Sequence, residues 1–240
     1  MFQSSVTRWH FVAAFFAIGL VTAAFGLFIF SLADKSEETV LQGEPMLEAR
    51  ASAVLDFWFG SDSGKISIEP TRLALWEKPN ELQVALIKER FLHDIQQAQK
   101  GLLDGWGDHA RGRLALILLL DQFPEVLTPN KVEHLESVQK ASKMAMAGIR
   151  LNQNDPLTLE ERLFFYHPLM EAESLELQNQ GLALYERLYE IAPENMKSTF
   201  KQWFEKAQKK RDTIYKFGRF PQHNALLNRE STDQEKVYLE

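Results

Sequence analysis

Six histidines, at positions 10, 93, 109, 134, 167 and 223, and no cysteine bound the chemistry open to this chain of 240 residues. Without a thiol there is no zinc–thiolate or iron–sulfur ligation, no cysteine nucleophile and no disulfide, and the redox compartment is left open. The imidazoles stand apart in the sequence. No His-Glu-x-x-His occurs, and no Glu-x-x-His sets a carboxylate one helical turn before an imidazole, so neither a metal nor a cofactor is expected. The run Gly60-Ser61-Asp62-Ser63-Gly64-Lys65 has three residues between its glycines where a phosphate loop needs four, and no strand precedes it. It reads as a turn, and with Asp62 at its centre it is not a nucleophile elbow either.

More informative are polar residues set inside apolar strings. Asp121-Gln122 follows seven consecutive apolar residues, Arg162 abuts Leu163-Phe164-Phe165-Tyr166, and Arg219 interrupts Phe217-Gly218-Arg219-Phe220-Pro221. An acid at a helix's carboxyl end opposes the helix dipole and wants a cation. The expectation is therefore that Asp121 bridges to Arg162 or Arg219, with Gln122, Glu173 and Asn224 completing a hydrogen-bonded network. Removing Asp121 then costs more stability than removing a surface acid such as Glu235. The segment Lys201–Arg219 interleaves seven basic residues with Phe200, Trp203, Phe204, Tyr215 and Phe217. That mixture suits single-stranded nucleic acid. A core stripe of Phe200, Trp203, Phe204, Ala207, Ile214 and Phe217 backed by solvated lysines is the better account, and no nucleic-acid partner is expected of an acidic chain.

The elements that position these residues read as helices. Leu47, Ala51, Val54, Leu55, Trp58 and Phe59 recur at spacings of three and four up to Gly60, with residues 60–70 as a loop. Pro79 opens a segment whose apolar face runs Leu82, Leu86, Ile87, Phe91, Ile95, Ala98 and Leu102, ending at Gly101 and Gly105. A helix from about Arg111 through Leu114–Leu120 stops at Pro124. Lys131–Leu151 follows, then the capping box Thr158-Leu159-Glu160-Glu161. Pro168 divides the short segment Leu163–Tyr166 from a long one reaching Ile191. Pro193 begins the last long helix, which closes at Gly218, and Ser231 or Thr232 caps a short terminal one. No alternating strand pattern bounded by hairpin turns appears. The fold class is all-α, about eight helices with antiparallel neighbours joined by short links.

The amino-terminal part is different in kind. Trp9–Ala33 contains no charged residue, and Phe11–Ala33 is a stretch of 23 almost wholly apolar residues between Arg8 and Asp34-Lys35-Ser36-Glu37-Glu38. As a helix it spans about 34 Å, enough for a hydrocarbon core of about 30 Å. Ser31-Leu32-Ala33 also has the small-x-small form of a signal-peptidase site, but the apolar run exceeds the length of a cleaved signal core and favours an uncleaved single-pass anchor. The domain plan is a flank at 1–10, a transmembrane helix or signal anchor at 11–33, a linker at 34–48 and an all-helical domain at 49–240. Basic residues near the two ends of the span are almost balanced, and the orientation leans towards a carboxy-terminal domain outside the cytoplasm. Beyond residue 33 the 26 Lys and Arg left after Arg8 is set aside, against 33 Asp and Glu, give a net charge of −7. An anionic partner is not expected.

Four strings carry a resemblance: VLDFWFG (Val54–Gly60), GRLALILLLDQFP (Gly112–Pro124), RLFFYHPLMEAESLELQ (Arg162–Gln178) and DTIYKFGRFPQHNALLNREST (Asp212–Thr232). In this order the chain resembles the bacterial family of unknown function numbered 924, over residues from about 50 to 240. The resemblance implies a compact array of helices similar to tetratricopeptide repeats, although no 34-residue repeat signature is present. It implies no established reaction. The sequence also departs from the family's pattern. Glu125-Val126 stands where Arg-Asn is expected, Glu171-Ala172-Glu173 replaces a His-Ser-Glu string, Lys210 replaces a His, and Gln222-His223 replaces His-Arg. Several imidazole and guanidinium positions are thereby lost, and if a polar cleft in the family works by general acid–base transfer, the loss of His takes away the group best matched to neutral pH.

Two functions follow as expectations. One is a membrane-anchored binding or scaffold module, taking a protein segment or a small ligand between helices. The other is a hydrolase with Asp121 and Glu173 as acid and base and Arg219 as electrostatic clamp. A third account of the same polar residues is a stabilising buried network with no ligand.

Overall fold

The computed structural model describes residues 48–60, 68–129 and 131–240. The expected membrane span at 11–33, its flank, nearly all of the linker and the 61–67 part of the glycine-bounded turn lie outside them. No helix among the described residues is long and apolar enough to cross a membrane. Residues Arg50–Glu240 form one compact unit, and all regular structure among the described residues is helical: α1 (48–59), α2 (Pro70–Glu77), α3 (Glu81–Gln99), α4 (Ala110–Leu120), α5 (Gln122–Leu127), α6 (Val132–Arg150), α7 (Leu159–Met170), α8 (Leu175–Ile191), α9 (Glu194–Phe217) and α10 (Asp233–Leu239), with 3₁₀ turns at Asp104–Asp108 and Pro221–His223.

The seven-residue apolar run explains the architecture. Each of Leu114 through Leu120 is completely buried, which a helix achieves only when neighbours surround it on all sides. Helix α4 is that central rod, packed by α3, α5, α6, α7 and the first 3₁₀ turn. Helices α7, α8 and α9 continue the array, with α8 packed between α7 and α9. The stripe on α9 falls as expected: Phe200, Ala207 and Ile214 are buried, and Trp203 and Phe204 pack against the core. On α3, Ile87, Phe91, Ile95 and Ala98 are buried, whereas Leu82 and Leu102, the ends of the predicted face, are 68% and 67% exposed. Those two positions lie at or past the helix ends.

The boundaries follow local chemistry. Asn80 and Gln83, Thr158 and Glu161, and Thr232 and Glu235 each form a reciprocal capping box, so of the two candidates at the last helix it is Thr232 that caps. Gly218 ends α9 at φ +70, a left-handed position that glycine adopts without a Cβ penalty. Two proline readings change. Helix α4 stops at Leu120 before Pro124 is reached, and Pro124 sits in the first turn of α5, where its missing N–H has no helical partner to lose. Pro168 does not divide α7 but lies in its last turn, and the helix ends two residues later at Met170. The Ser142 hydroxyl donates to the Pro168 carbonyl (2.7 Å) and the Tyr185 hydroxyl to the Leu163 carbonyl (3.0 Å), so neighbouring helices reach backbone acceptors of α7 both in this turn and in the one before it.

Helix α2 has no counterpart in the sequence reading. Its Trp76 donates from Nε1 to the Trp58 carbonyl (3.1 Å), and Arg72 donates to the carbonyls of Phe57 and Trp58. These bonds serve the last turn of α1, which Gly60 leaves at φ +91. A second arginine ties the other side of the core. Arg113 on α4, 9% exposed, donates to the carbonyls of Gly107 and Met144 and to Gln153. It passes over Gly148 of α6, where an added Cβ would meet Arg113 Cδ and Phe165 Cζ at 2.5 Å.

Candidate functional site

The end of α4 turns directly into α5, and Asp121 is the hinge. Its N–H donates to Ile117 (2.9 Å) as the last bond of α4, while its carbonyl accepts from Glu125 N (3.1 Å) as the first of α5. The carboxylate therefore sits between the negative end of one helix dipole and the positive end of another, which removes much of the electrostatic cost expected of an acid at a helix carboxyl end. It is 1% exposed. Its cation is neither Arg162 nor Arg219 but His167 of α7, whose Nδ1 lies 2.7 Å from Asp121 Oδ2. Gln122 Nε2 donates to the same oxygen (3.0 Å), so Asp121 Oδ2 is the shared acceptor of two neighbouring groups.

The chain of charges continues from the imidazole. His167 Nε2 is 3.3 Å from Glu171 Oε1, four residues on, and Glu171 in turn pairs with Lys210 of α9. Beneath this row lies an aromatic layer: Trp58 touches Phe123 and Phe164 (ring centroids 5.5 Å in each case), Phe164 touches Trp203 (5.8 Å), and Trp203 lies edge-on to His167 (6.3 Å). An apolar floor strengthens each charge interaction above it and makes an unpaired charge costly. Burial opposes the charge on His167, but Asp121 and Glu171 outweigh both that and the repulsion of Lys210, so its pKa is raised. Burial also works against the Glu171 carboxylate, yet Lys210 and His167 hold it down at about 2. Tyr185 of α8 is pushed well above the ordinary phenol value by burial, then by Asp121 and Glu171.

A second group lies alongside. Glu173 accepts the Phe220 N–H (2.8 Å) and two bonds from Arg229 (2.6 and 2.9 Å), and Arg229 Nε donates to Asn224 Oδ1 (3.0 Å). Burial would raise the Glu173 pKa; the hydrogen bonds from Arg229 and Phe220 lower it. His223 is 3.9 Å from Glu173 and within electrostatic reach of Glu171 and Lys210.

The six residues predicted to form one network thus divide. Asp121 and Gln122 belong to the first group, and Glu173 and Asn224 to the second. Arg162 turns back to the carbonyls of Leu157 (2.9 Å) and Asp155 (2.5 Å). Arg219 holds Glu235 with two bonds (2.6 and 2.8 Å). Glu235 is consequently no surface acid: it is 2% exposed, with its pKa at about 2 through the Arg219 hydrogen bonds and the Thr232 N–H. The sequence reading missed His167, Glu171, Lys210 and Arg229. The i, i+4 spacing of His167 and Glu171 was the available signal, and treating Pro168 as a helix break hid it.

The chain matches the family model described as a bacterial protein of unknown function (DUF924), over residues 54–240. The chain belongs to this family. It is also similar to a solved structure titled as a protein of unknown function, ATU0120, from Agrobacterium tumefaciens, at 29% identity and a TM-score of 0.67, covering 80% of this chain and 98% of that one. No curated protein matches. Within the DUF924 domain, several polar residues around the first group are neighbours in space. Lys210 and Glu171 pair with each other. Glu125 lies within electrostatic reach of both and contacts His134 of α6, its Oε2 3.1 Å from Nδ1. His223 completes the set.

Chemically the site is saturated. Both ring nitrogens of His167 face carboxylates, Glu171 is neutralised by Lys210, and Glu173 by Arg229. A general base needs a free lone pair directed at a substrate, and an imidazole clamped in this way offers none. Among the described residues, no group of three or more His, Asp and Glu has the arrangement of a metal site.

Proposed function

We propose that this DUF924 domain works by binding rather than by catalysis, as a membrane-anchored helical module. In this reading residues 11–33 form a single-pass anchor, 1–10 its flank and 34–48 a linker, and the domain from 49 to 240, an array of antiparallel helix pairs of tetratricopeptide type, lies outside the cytoplasm. The anchor is supported by the uncharged run from Trp9 to Ala33. The observation that carries the choice of binding over chemistry is the pairing of His167 by Asp121 and Glu171. The hydrolytic alternative asks Asp121, Glu173 and Arg219 to face a substrate, but they are committed to His167, Arg229 and Glu235.

The ligand-facing part is the rim around Glu173, His223 and Arg229, whose side chains are 28%, 24% and 23% exposed, with Asn224 behind it. A protein segment or small ligand meets both signs of charge there, with the aromatic floor beneath the adjoining Asp121–His167 row. The test uses the full chain in its membrane, with a photo-crosslinking residue at exposed Gln222 beside the rim or at exposed Glu136 on α6. An adduct from position 222 and none from 136, together with release of the chain from the membrane pellet when residues 11–33 are deleted, is expected. Equal labelling from both positions would remove the binding assignment, and a deletion variant that still sediments with membranes would remove the anchor.

A further inference from the structure

The geometry around His167 assigns it a second property. Asp121 belongs to the α4–α5 corner, His167 and Glu171 to α7 and its carboxyl end, and Lys210 to α9. The imidazole itself joins α7 to the α4–α5 corner, and Glu171, which its other nitrogen faces, carries the row on to Lys210 of α9. A neutral imidazole has one N–H, a protonated one has two. The neutral ring can donate to Asp121 or to Glu171, and only the imidazolium donates to both. The ring is 16% exposed while the Asp121 carboxylate is 1% exposed, so the proton can exchange with solvent although the acid it serves is sealed.

We propose that His167 is a proton-controlled latch: its imidazolium ties the α4–α5 corner to the α7–α9 contact, and loss of one proton undoes one of the two ties. Charge balance gives the consequence. With His167 protonated, the row Asp121, His167, Glu171 and Lys210 has two negative and two positive members. Deprotonation leaves a net negative charge over an apolar floor, and the sealed carboxylate keeps Gln122 as its hydrogen-bond donor but loses its cation. The other titratable groups that act on this row from the surrounding helices do so through Asp121, Glu171 or Lys210: Glu125 of α5 with its partner His134 of α6, Tyr185 of α8, and His223 of the second 3₁₀ turn. Tyr185 ionises far above the window concerned, and His223, lowered by burial against the pull of Glu173, is neutral before it.

The sign follows from linkage. A histidine whose folded pKa is raised contributes stability that is complete below its unfolded value, about 6.5, and is lost as pH rises through the folded pKa. The experiment is thermal unfolding of the full chain in nonionic detergent, followed by circular dichroism across the neutral and alkaline range, for the wild type, His167→Gln, Glu171→Gln and Lys210→Met. The wild type is expected to lose melting temperature on the alkaline side, and His167→Gln to lack that step. Glu171→Gln, which removes a charge favouring the imidazolium, moves the midpoint to lower pH. Lys210→Met, which removes a charge opposing it, moves the midpoint to higher pH. Opposite movements establish the latch even if His167→Gln does not fold, since a merely structural ion pair would not order the two midpoints. An unchanged step in His167→Gln, or midpoints of Glu171→Gln and Lys210→Met that coincide, would overturn it.

Discussion

Replacing Asp121 with alanine tests the central pairing most directly. The variant loses the charge-assisted hydrogen bond to His167, which in a buried site contributes roughly 1.5–3 kcal/mol, and leaves the Gln122 amide without that acceptor, costing about 1 kcal/mol or more. Breaking a buried ion pair costs about 3–5 kcal/mol when the partner must stay charged. His167 need not, since an imidazole gives up its proton readily near neutral pH and escapes the unpaired charge. The expected loss is therefore about 3 kcal/mol at or below pH 6.5, and less as pH rises. For a domain near 190 residues, at roughly 2–4 °C per kcal/mol, the melting temperature falls by about 6–12 °C. The control is Glu186→Ala, an exposed acid on α8, expected to shift stability by no more than about 0.5 kcal/mol. Glu235 does not serve, because it is buried against Arg219. Urea unfolding at pH 6 and pH 9 measures both variants. A loss no larger than that of Glu186→Ala, or a loss that grows with pH, refutes the pairing.

Two further outcomes follow from the packing and the carboxylates. Gly148→Ala places a methyl group 2.5 Å from Arg113 Cδ and Phe165 Cζ. The overpacking costs about 1–3 kcal/mol and outweighs the roughly 1 kcal/mol gained in helix propensity; a melting temperature at or above the wild type's would show that Arg113 moves aside freely. On the acid side, Glu171 is held at about 2, so its contribution is present above the unfolded carboxylate value and is lost as pH falls from there through about 2. In denaturant titrations Glu171→Gln should show a shallower decline over that window than the wild type, and identical slopes would contradict the Lys210–Glu171 pair.

Much of the fold was legible because its signals are local. The capping box at Thr158 and Glu161, Gly218 at the end of α9 and the 3.6-residue stripe of α9 are each written within a few turns of consecutive sequence. Helix α2 escaped notice because only two of its eight residues, Leu75 and Trp76, are buried, too few to impose a period. Helix α5 escaped because a proline reads as a stop when it can equally occupy a first turn. The site was half legible. Asp121 and Gln122 stand out as polar residues after an apolar string, Glu173 and Asn224 were expected to complete their network, and each of the four is engaged in the folded domain.

What the sequence determined by itself, then, is the helical class, the uncharged stretch before the domain, the family and the presence of a polar cluster at Asp121, since composition, periodicity and local caps are written in consecutive residues. Which cation answers Asp121 was decided only in three dimensions. Arginine is the stronger donor, and Arg162 and Arg219 were as eligible as His167 in one dimension. Arg162 is instead drawn to the carbonyls of the loop before α7 and Arg219 to Glu235. The packing of α7 against the α4–α5 corner brings the imidazole to within 2.7 Å of the acid. Partner choice over 46 residues of separation depends on which helix faces meet, and that is settled by burying the apolar run Leu114–Leu120 of α4 rather than by the charges themselves.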